Sequence, residues 1–146
     1  MEIRKLREDD IDQWAGLRSD LWPDHRYEDL VADSTCFLTS EDMVCFVLEH
    51  PERGLAGFIE AALYPVPDRP YVHIEGWYVK PEFRGMGYGK RLVSHIKEWS
   101  IHRGIEVLTS DTTPDYPLSP AAHTRSGFRV LAEMTIFLKE LESHQA

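Results

Sequence analysis

Cysteine is scarce, with Cys36 and Cys45 the only two among 146 residues. That is too few for a disulfide framework, and their spacing suits no metal, so both are expected to be buried, reduced thiols. Long apolar runs are missing as well. No stretch approaches the roughly 20 residues that cross a bilayer, and Met1-Glu2-Ile3-Arg4 opens as a strand and not as a leader peptide, so a cytoplasmic protein without a membrane partner is expected. Positive charge is short: 16 Lys and Arg face 25 Asp and Glu, and the net charge of −9 disfavours nucleic acid and favours a cationic partner. His25, His50, His95, His102 and His144 stand at no ligand spacing from one another or from the cysteines, so no metal is expected. Repeats, linkers and low-complexity tracts are also lacking.

What is present is the material of one domain over residues 1–146, with 42% hydrophobic content to form a single core. Residues 2–6 alternate as a first strand. Asp9-Asp10 then starts a helix whose Ile11, Trp14, Leu17, Leu21 and Trp22 recur at helical spacing until Pro23. Tyr27–Val31 reads as a short second helix, and residues 43–49 and 56–64 read as an antiparallel hairpin around Pro51-Glu52-Arg53-Gly54. After a proline-rich loop at 65–70, a strand is expected over Tyr71–Val79. The helix that follows, over about residues 87–103, presents Leu92, Val93, Ile96 and Trp99 on one face and stops at Gly104. Residues 106–110 read as a parallel-type strand, Ser119–Arg125 as a short helix, and 129–131 with 134–141 as a closing pair of strands. The expected fold is α/β: a mixed, mostly antiparallel seven-stranded sheet flanked by about four helices, its fourth and fifth strands parallel and splayed.

The chemistry centres on Arg84-Gly85-Met86-Gly87-Tyr88-Gly89-Lys90, where an apolar strand passes through a glycine-spaced turn into a helix. Gly85, Gly87 and Gly89 let the backbone come close to a ligand, and the first N–H groups of the helix lack intrahelical acceptors. Together with the Arg84 cation, the helix dipole and Lys90 in the first turn, they form a cradle for an anion. The turn lacks the Lys-Ser/Thr ending of a nucleotide P-loop and follows the fourth strand, not the first, which argues against a dinucleotide fold.

Arg84-Gly85-Met86-Gly87-Tyr88-Gly89 resembles the Arg/Gln-x-x-Gly-x-Gly/Ala signature of the GCN5-related N-acetyltransferases (GNAT), and the order of elements matches that fold over essentially the whole chain. Within that superfamily, Glu75-Gly76-x-Tyr78-Val79-x-Pro81 resembles an element of the aminoglycoside 6'-N-acetyltransferases. Three further matches point the same way: Leu17-Arg18-x-x-Leu21-Trp22-Pro23, Ser110-Asp111, and Ser119-x-x-x-His123-x-x-x-Gly127-Phe128. The resemblance implies that residues 84–90 hold the pyrophosphate of acetyl-coenzyme A and that backbone N–H groups at Tyr78 and Val79 hold the thioester carbonyl. It also implies that Trp22 and Asp111, with His25 nearby, bind the substrate. Where many members carry an Asn for the pantetheine arm, this chain has Tyr116.

Acyl transfer to an amine needs a neutral amine, donors for the developing oxyanion and a proton for the leaving thiolate. Glu75 is a base or an electrostatic clamp for the amine, or else a surface strand residue; simple alternation puts it on one face with His73, Trp77 and Val79. Asp111, at the carboxyl end of a parallel strand, is its partner in handling the amine. His123 takes the place of a proton-donating tyrosine or is merely structural. The activity implied is acetylation of the 6'-amine of aminoglycoside antibiotics, conferring resistance. The alternatives are acetylation of a polyamine or a protein amino terminus, or an acetyl-coenzyme A sensor without turnover. The apolar run Met134-Thr135-Ile136-Phe137-Leu138 predicts a homodimer joined through its terminal strands, with Glu133 or Glu140 donated across the interface.

Overall fold

The computed structural model describes residues 1–142; His144 lies outside them. A single sheet runs in the order β1 (Glu2–Lys5), β2 (Met43–His50), β3 (Gly54–Tyr64), β4 (Tyr71–Val79) and β5 (Leu108–Ser110). All neighbours are antiparallel except β4 and β5, which are parallel. β2 shows why the sheet lies in the middle of the molecule. Its Val44, Phe46 and Leu48 face one apolar cluster while Cys45 and Val47 face another, so it is buried on both sides and reads as a continuous hydrophobic run.

Helices cover both faces. α1 (Ile11–Leu21) buries Trp14 and Leu17 on one side, with the short α2 (Tyr27–Val31) and α3 (Ser34–Thr39) beside it. α4 (Tyr88–Ile101) buries Leu92, Val93, Ile96 and Trp99 on the other, three- and four-residue steps that match one helical face. Gly104, at φ +75°, provides the left-handed turn that ends this helical segment. α5 (Ser119–Arg125) follows β5. Before α1, a 3₁₀ turn at Glu8–Asp10 is held by Asp10, whose carboxylate accepts from Arg4 at 2.7 and 2.9 Å and from the Arg7 N–H at 2.8 Å.

Three expectations need amendment. Among the described residues the sheet has five strands, not seven: residues 129–131 and 134–141 join no ladder and pack against neither apolar cluster, and strand composition without a bonded neighbour makes no strand. Val130, Leu131, Met134, Ile136, Phe137, Leu138 and Leu141 are all more than three-quarters exposed. Among the described residues there are five α-helices against the expected about four; the one not read from the sequence is α3, because Ser34-Thr35-Cys36 carries weak helix formers and only Phe37 of the helix is buried. Cys45 is buried and free, but Cys36 is exposed on α3, where that helix turns it away from Phe37 and the core.

Ile96 is fully buried between α4 and the sheet, so Ile96→Ala should lower stability by about 2–5 kcal/mol in urea unfolding. Leu138→Ser, at a position 83% exposed, should change the stability of the isolated chain by less than about 0.5 kcal/mol.

Candidate active site

β4 pairs with β3 along its length, but with β5 only at Val72↔Leu108, His73↔Thr109 and Ile74↔Ser110. Beyond Ile74 the parallel strands part, and residues 75–79 keep an edge without a strand partner among the described residues. The cleft this opens is a cavity of about 430 Å³, with Glu75, Trp77, Ser110, Asp111 and His123 among its walls. Tyr116 ties the loop after β5 to α1, its hydroxyl donating to the Leu21 carbonyl at 3.0 Å.

Glu75 owes its position to a bulge. Glu60 pairs with Gly76 and Ala61 with Ile74, so Glu75 has no partner on β3. The bulge also shifts the phase of the strand: Val72 and Ile74 before it, and Trp77 and Val79 after it, pack against the same apolar cluster. Simple alternation is therefore wrong here, and His73 and Trp77 lie on opposite faces. Glu75 stands where two cavities meet. The second, of about 650 Å³, is bordered by Trp22, His25, Asp29, Asp33, Tyr64 and Glu75. Trp22 borders both, whereas His25 borders only the second, its ring 6.2 Å from that of Trp22.

Tyr64 was not singled out by the sequence. Its hydroxyl donates to Glu75 Oε1 at 2.6 Å while its ring stacks on Tyr71 at 5.1 Å. The bond to the carboxylate pushes the phenol up to about 12. Asp111 is largely exposed at the end of β5, with its Oδ2 3.6 Å from His73 Nε2. His73 Nδ1 lies 2.7 Å from Thr109 Oγ1. His123 is held at both nitrogens: Nδ1 is 2.8 Å from the Ser119 carbonyl, which can only accept, and Nε2 is 2.8 Å from Ser110 Oγ. The geometry therefore assigns the neutral ring a proton on Nδ1 and leaves Nε2 to accept from Ser110. Trp77 and Phe128 pack edge-on against the ring at 5.1 and 5.3 Å.

The glycine turn lies at the far end of β4. Gly85 and Gly87 take φ of +77° and +85°, and a Cβ built on either would meet nothing within 4 Å, so both face open space and it is the left-handed backbone, not crowding, that calls for glycine. Gly87 caps α4, whose first-turn N–H groups at Tyr88, Gly89 and Lys90 have no intrahelical acceptor. A Cβ at Gly89 would come 3.3 Å from the Trp77 ring, whose Nε1–H donates to the Gly89 carbonyl at 3.2 Å, so this glycine lets the helix close onto β4. Arg84 folds back over Tyr78 and donates from Nε to the Val79 carbonyl at 2.8 Å, leaving its terminal nitrogens free of that bond. Met86 and Lys90 are exposed beside the turn. Among the described residues no group of three His, Cys, Asp or Glu side chains is placed to hold a metal.

A sheet split between two parallel strands beside a glycine cradle is the framework of an acyltransferase, and the comparisons agree. The acetyltransferase (GNAT) family model matches residues 6–128, and the chain belongs to that family. It is 31% identical to the aminoglycoside N(6')-acetyltransferase type 1 of Salmonella typhimurium, over 96% of this chain and 99% of that one. The Klebsiella aerogenes protein of the same name is 29% identical over 95% and 96%. Among solved structures, AAC(6')-Iy in complex with the bisubstrate analogue CoA-S-monomethyl-acetylneamine superposes with a TM-score of 0.84 at 28% identity, covering 96% of this chain and 98% of that one. AAC(6')-Iy with CoA gives 0.83 at 29% identity, covering 95% and 93%.

A phenol donating to a carboxylate is held protonated, so removing the charge should free it. Glu75→Gln should lower the titration of Tyr64 from about 12 toward the ordinary tyrosine value, read from tyrosinate absorbance against Tyr64→Phe.

Proposed function

We propose that this chain, as a single cytoplasmic domain, transfers the acetyl group of acetyl-coenzyme A to the 6'-amine of an aminoglycoside. The observation that carries this is the position of Glu75, extruded by a bulge where the cleft beside β4 meets a second cavity bordered by carboxylates. Full-length similarity to aminoglycoside N(6')-acetyltransferases supports the substrate class.

The residues present fit the co-substrate. The backbone of Gly85, Met86, Gly87, Tyr88 and Gly89, with the cations of Arg84 and Lys90, presents donors and positive charge to a pyrophosphate. On the unpaired edge of β4 the Val79 N–H is the donor for a carbonyl oxygen; the Tyr78 N–H, expected to share that role, turns toward its partner Phe58 on β3, because successive N–H groups of a strand point to opposite sides. Acetyl-coenzyme A brings the activated thioester. Glu75 and Asp111 bind the substrate ammonium and draw its proton away, so that the amine presents a lone pair. Trp22 and His25 hold the rest of the substrate, and the carboxylates around the second cavity attract its remaining ammonium groups. His123 acts as acid through Ser110: with Nε2 protonated the ring donates to Ser110 Oγ, and the Ser110 hydroxyl proton, which in the neutral form points at Nε2, turns to the cleft and passes to the leaving thiolate.

Turnover of acetyl-coenzyme A against aminoglycosides, polyamines and peptides tests the reading. Kanamycin- or tobramycin-like compounds should be acetylated and 6'-hydroxyl analogues should not; turnover of a polyamine or peptide alone would give the enzyme a different substrate. Glu75→Gln and Asp111→Asn should each lower kcat/KM while coenzyme A binding by calorimetry stays unchanged.

The partner is a second copy of this chain. The exposed apolar residues between Val130 and Leu141 need a cover in water, and pairing terminal strands would supply one while bringing Glu133 and Glu140 toward the neighbouring site. Sedimentation equilibrium should give about twice the chain mass of 16.9 kDa, and a monomer mass would remove the dimer.

A further inference from the structure

Beneath Trp22 lies a buried ionic cluster that the acyl-transfer chemistry above does not use. Arg18, on α1, is 6% exposed and Glu60, on β3, is fully buried. The guanidinium donates to Glu60 Oε1 from Nη2 at 2.8 Å and from Nε at 3.2 Å. It also forks onto Asp33 at 2.9 and 3.1 Å and donates to the Leu30 carbonyl, so one side chain ties α1, β3 and the α2–α3 turn together. Its flat faces are taken by aromatic rings, Trp14 at 4.2 Å and Trp22 at 5.3 Å.

Glu60 pairs with Gly76, the residue next to the Glu75 bulge. A Cβ at Gly76 would lie 2.8 Å from the Trp22 ring and 3.1 Å from Glu60 Oε1, so ring, carboxylate and bulge are in direct contact. Arg18, Asp33 and Glu60 border the same cavity as Trp22 and Glu75. Glu60 Oε2 is buried there without a hydrogen-bond partner.

We propose that Arg18 and Glu60 are positioning residues for amine binding: the buried pair seats Trp22 against Gly76 and sets the charge of the cavity floor, so that neutralising Glu60 weakens binding of a polycationic amine and leaves coenzyme A binding intact. The inference rests on the amine-acetylating reading above. With Glu60 ionised, Arg18, Glu60 and Asp33 sum to one negative charge beneath the substrate. With Glu60 protonated they sum to zero, and the guanidinium facing the cavity loses half of its compensation.

Burial pushes the Glu60 carboxyl up to about 7, and the negative charge of Asp33 pushes in the same direction, against the opposing pull of Arg18. The other groups that face it are the Trp14 indole from α1 and the Cys45 thiol from β2, itself pushed up by burial; β4 presents only Gly76 across the pair. Amine affinity should therefore fall as the pH drops through about 7. The substrate's own protonation runs the other way, because more ammonium groups favour an acidic cavity. It is therefore the difference between wild type and variant that reads Glu60.

The test is Glu60→Gln, with tobramycin and coenzyme A binding measured by calorimetry and KM and kcat measured from about pH 5 to 8. We expect the amine Kd and KM at neutral to alkaline pH to rise about tenfold with kcat nearly unchanged, and the low-pH weakening seen in the wild type to disappear. Coenzyme A affinity should not change. Asp33→Asn, at a side chain 40% exposed, keeps Glu60 in place and serves if Glu60→Gln does not fold; the midpoint of the KM profile should move to lower pH, because the charge that raises the Glu60 carboxyl is gone. An unchanged profile in either folded variant, or an equal loss of coenzyme A binding, overturns the inference. Tobramycin that binds but is not acetylated by the wild type sinks the proposed reaction and still allows the Glu60 comparison by calorimetry; no amine binding at all overturns both.

Discussion

β4 and β5 run parallel for three paired residues and then part, and the rest of the site follows from that separation. A parallel pair that stayed in register would satisfy the backbone of residues 75–79 and fill the cleft. Parting at Ile74 leaves an unpaired edge that leads from Glu75 to the glycine turn, with Ser110, Asp111 and His123 on the opposite wall. Unpaired backbone polar groups next to a core are costly unless something bonds them, which is why such an edge is suited to a ligand. The sheet that carries this gap is packed on both faces, by α1 on one side and α4 on the other.

The bulge at Glu75 couples this cleft to the acidic cavity beside it. One unpaired residue extrudes a carboxylate, places Gly76 under the Trp22 ring and reverses the facing of everything after it on β4. The buried charges nearby are balanced locally. Removing one partner of a buried pair costs about 3–5 kcal/mol, because the other is left uncompensated in a medium of low polarity. Arg18 avoids this by bonding Glu60, Asp33 and a carbonyl at once. His123 follows the same logic in neutral form, each nitrogen matched to a partner that fixes its tautomer.

The local elements were legible because their signals are local. Tyr27–Val31, Tyr71–Val79 and Ser119–Arg125 form where periodicity and turn residues placed them, and so does the passage from β4 through the glycine turn into α4. The turn needed only two glycines at positive φ and a helix start, all of which short-range chemistry specifies. The glycine motif and the Glu-Gly-x-Tyr-Val run likewise carried the family resemblance in the chain itself.

What escaped depends on pairing between distant segments. The extra residue of the bulge exists only relative to β3, so no reading of β4 alone shows that His73 and Trp77 face opposite ways or that Tyr64 reaches Glu75. Arg18 and Glu60 are 42 residues apart, and each alone looks like a surface charge. The terminal segment has the composition of a strand, yet a strand forms only by bonding a neighbour, and among the described residues it pairs with none of the sheet's free edges. Sequence by itself determined most of the elements, the glycine turn into α4 and the candidate residues, because these rest on side-chain type and spacing over a few residues. Tertiary structure alone decided the register, the parting of β4 from β5 and the burial of the ion pair, because each is a balance between groups that meet only when the chain is folded.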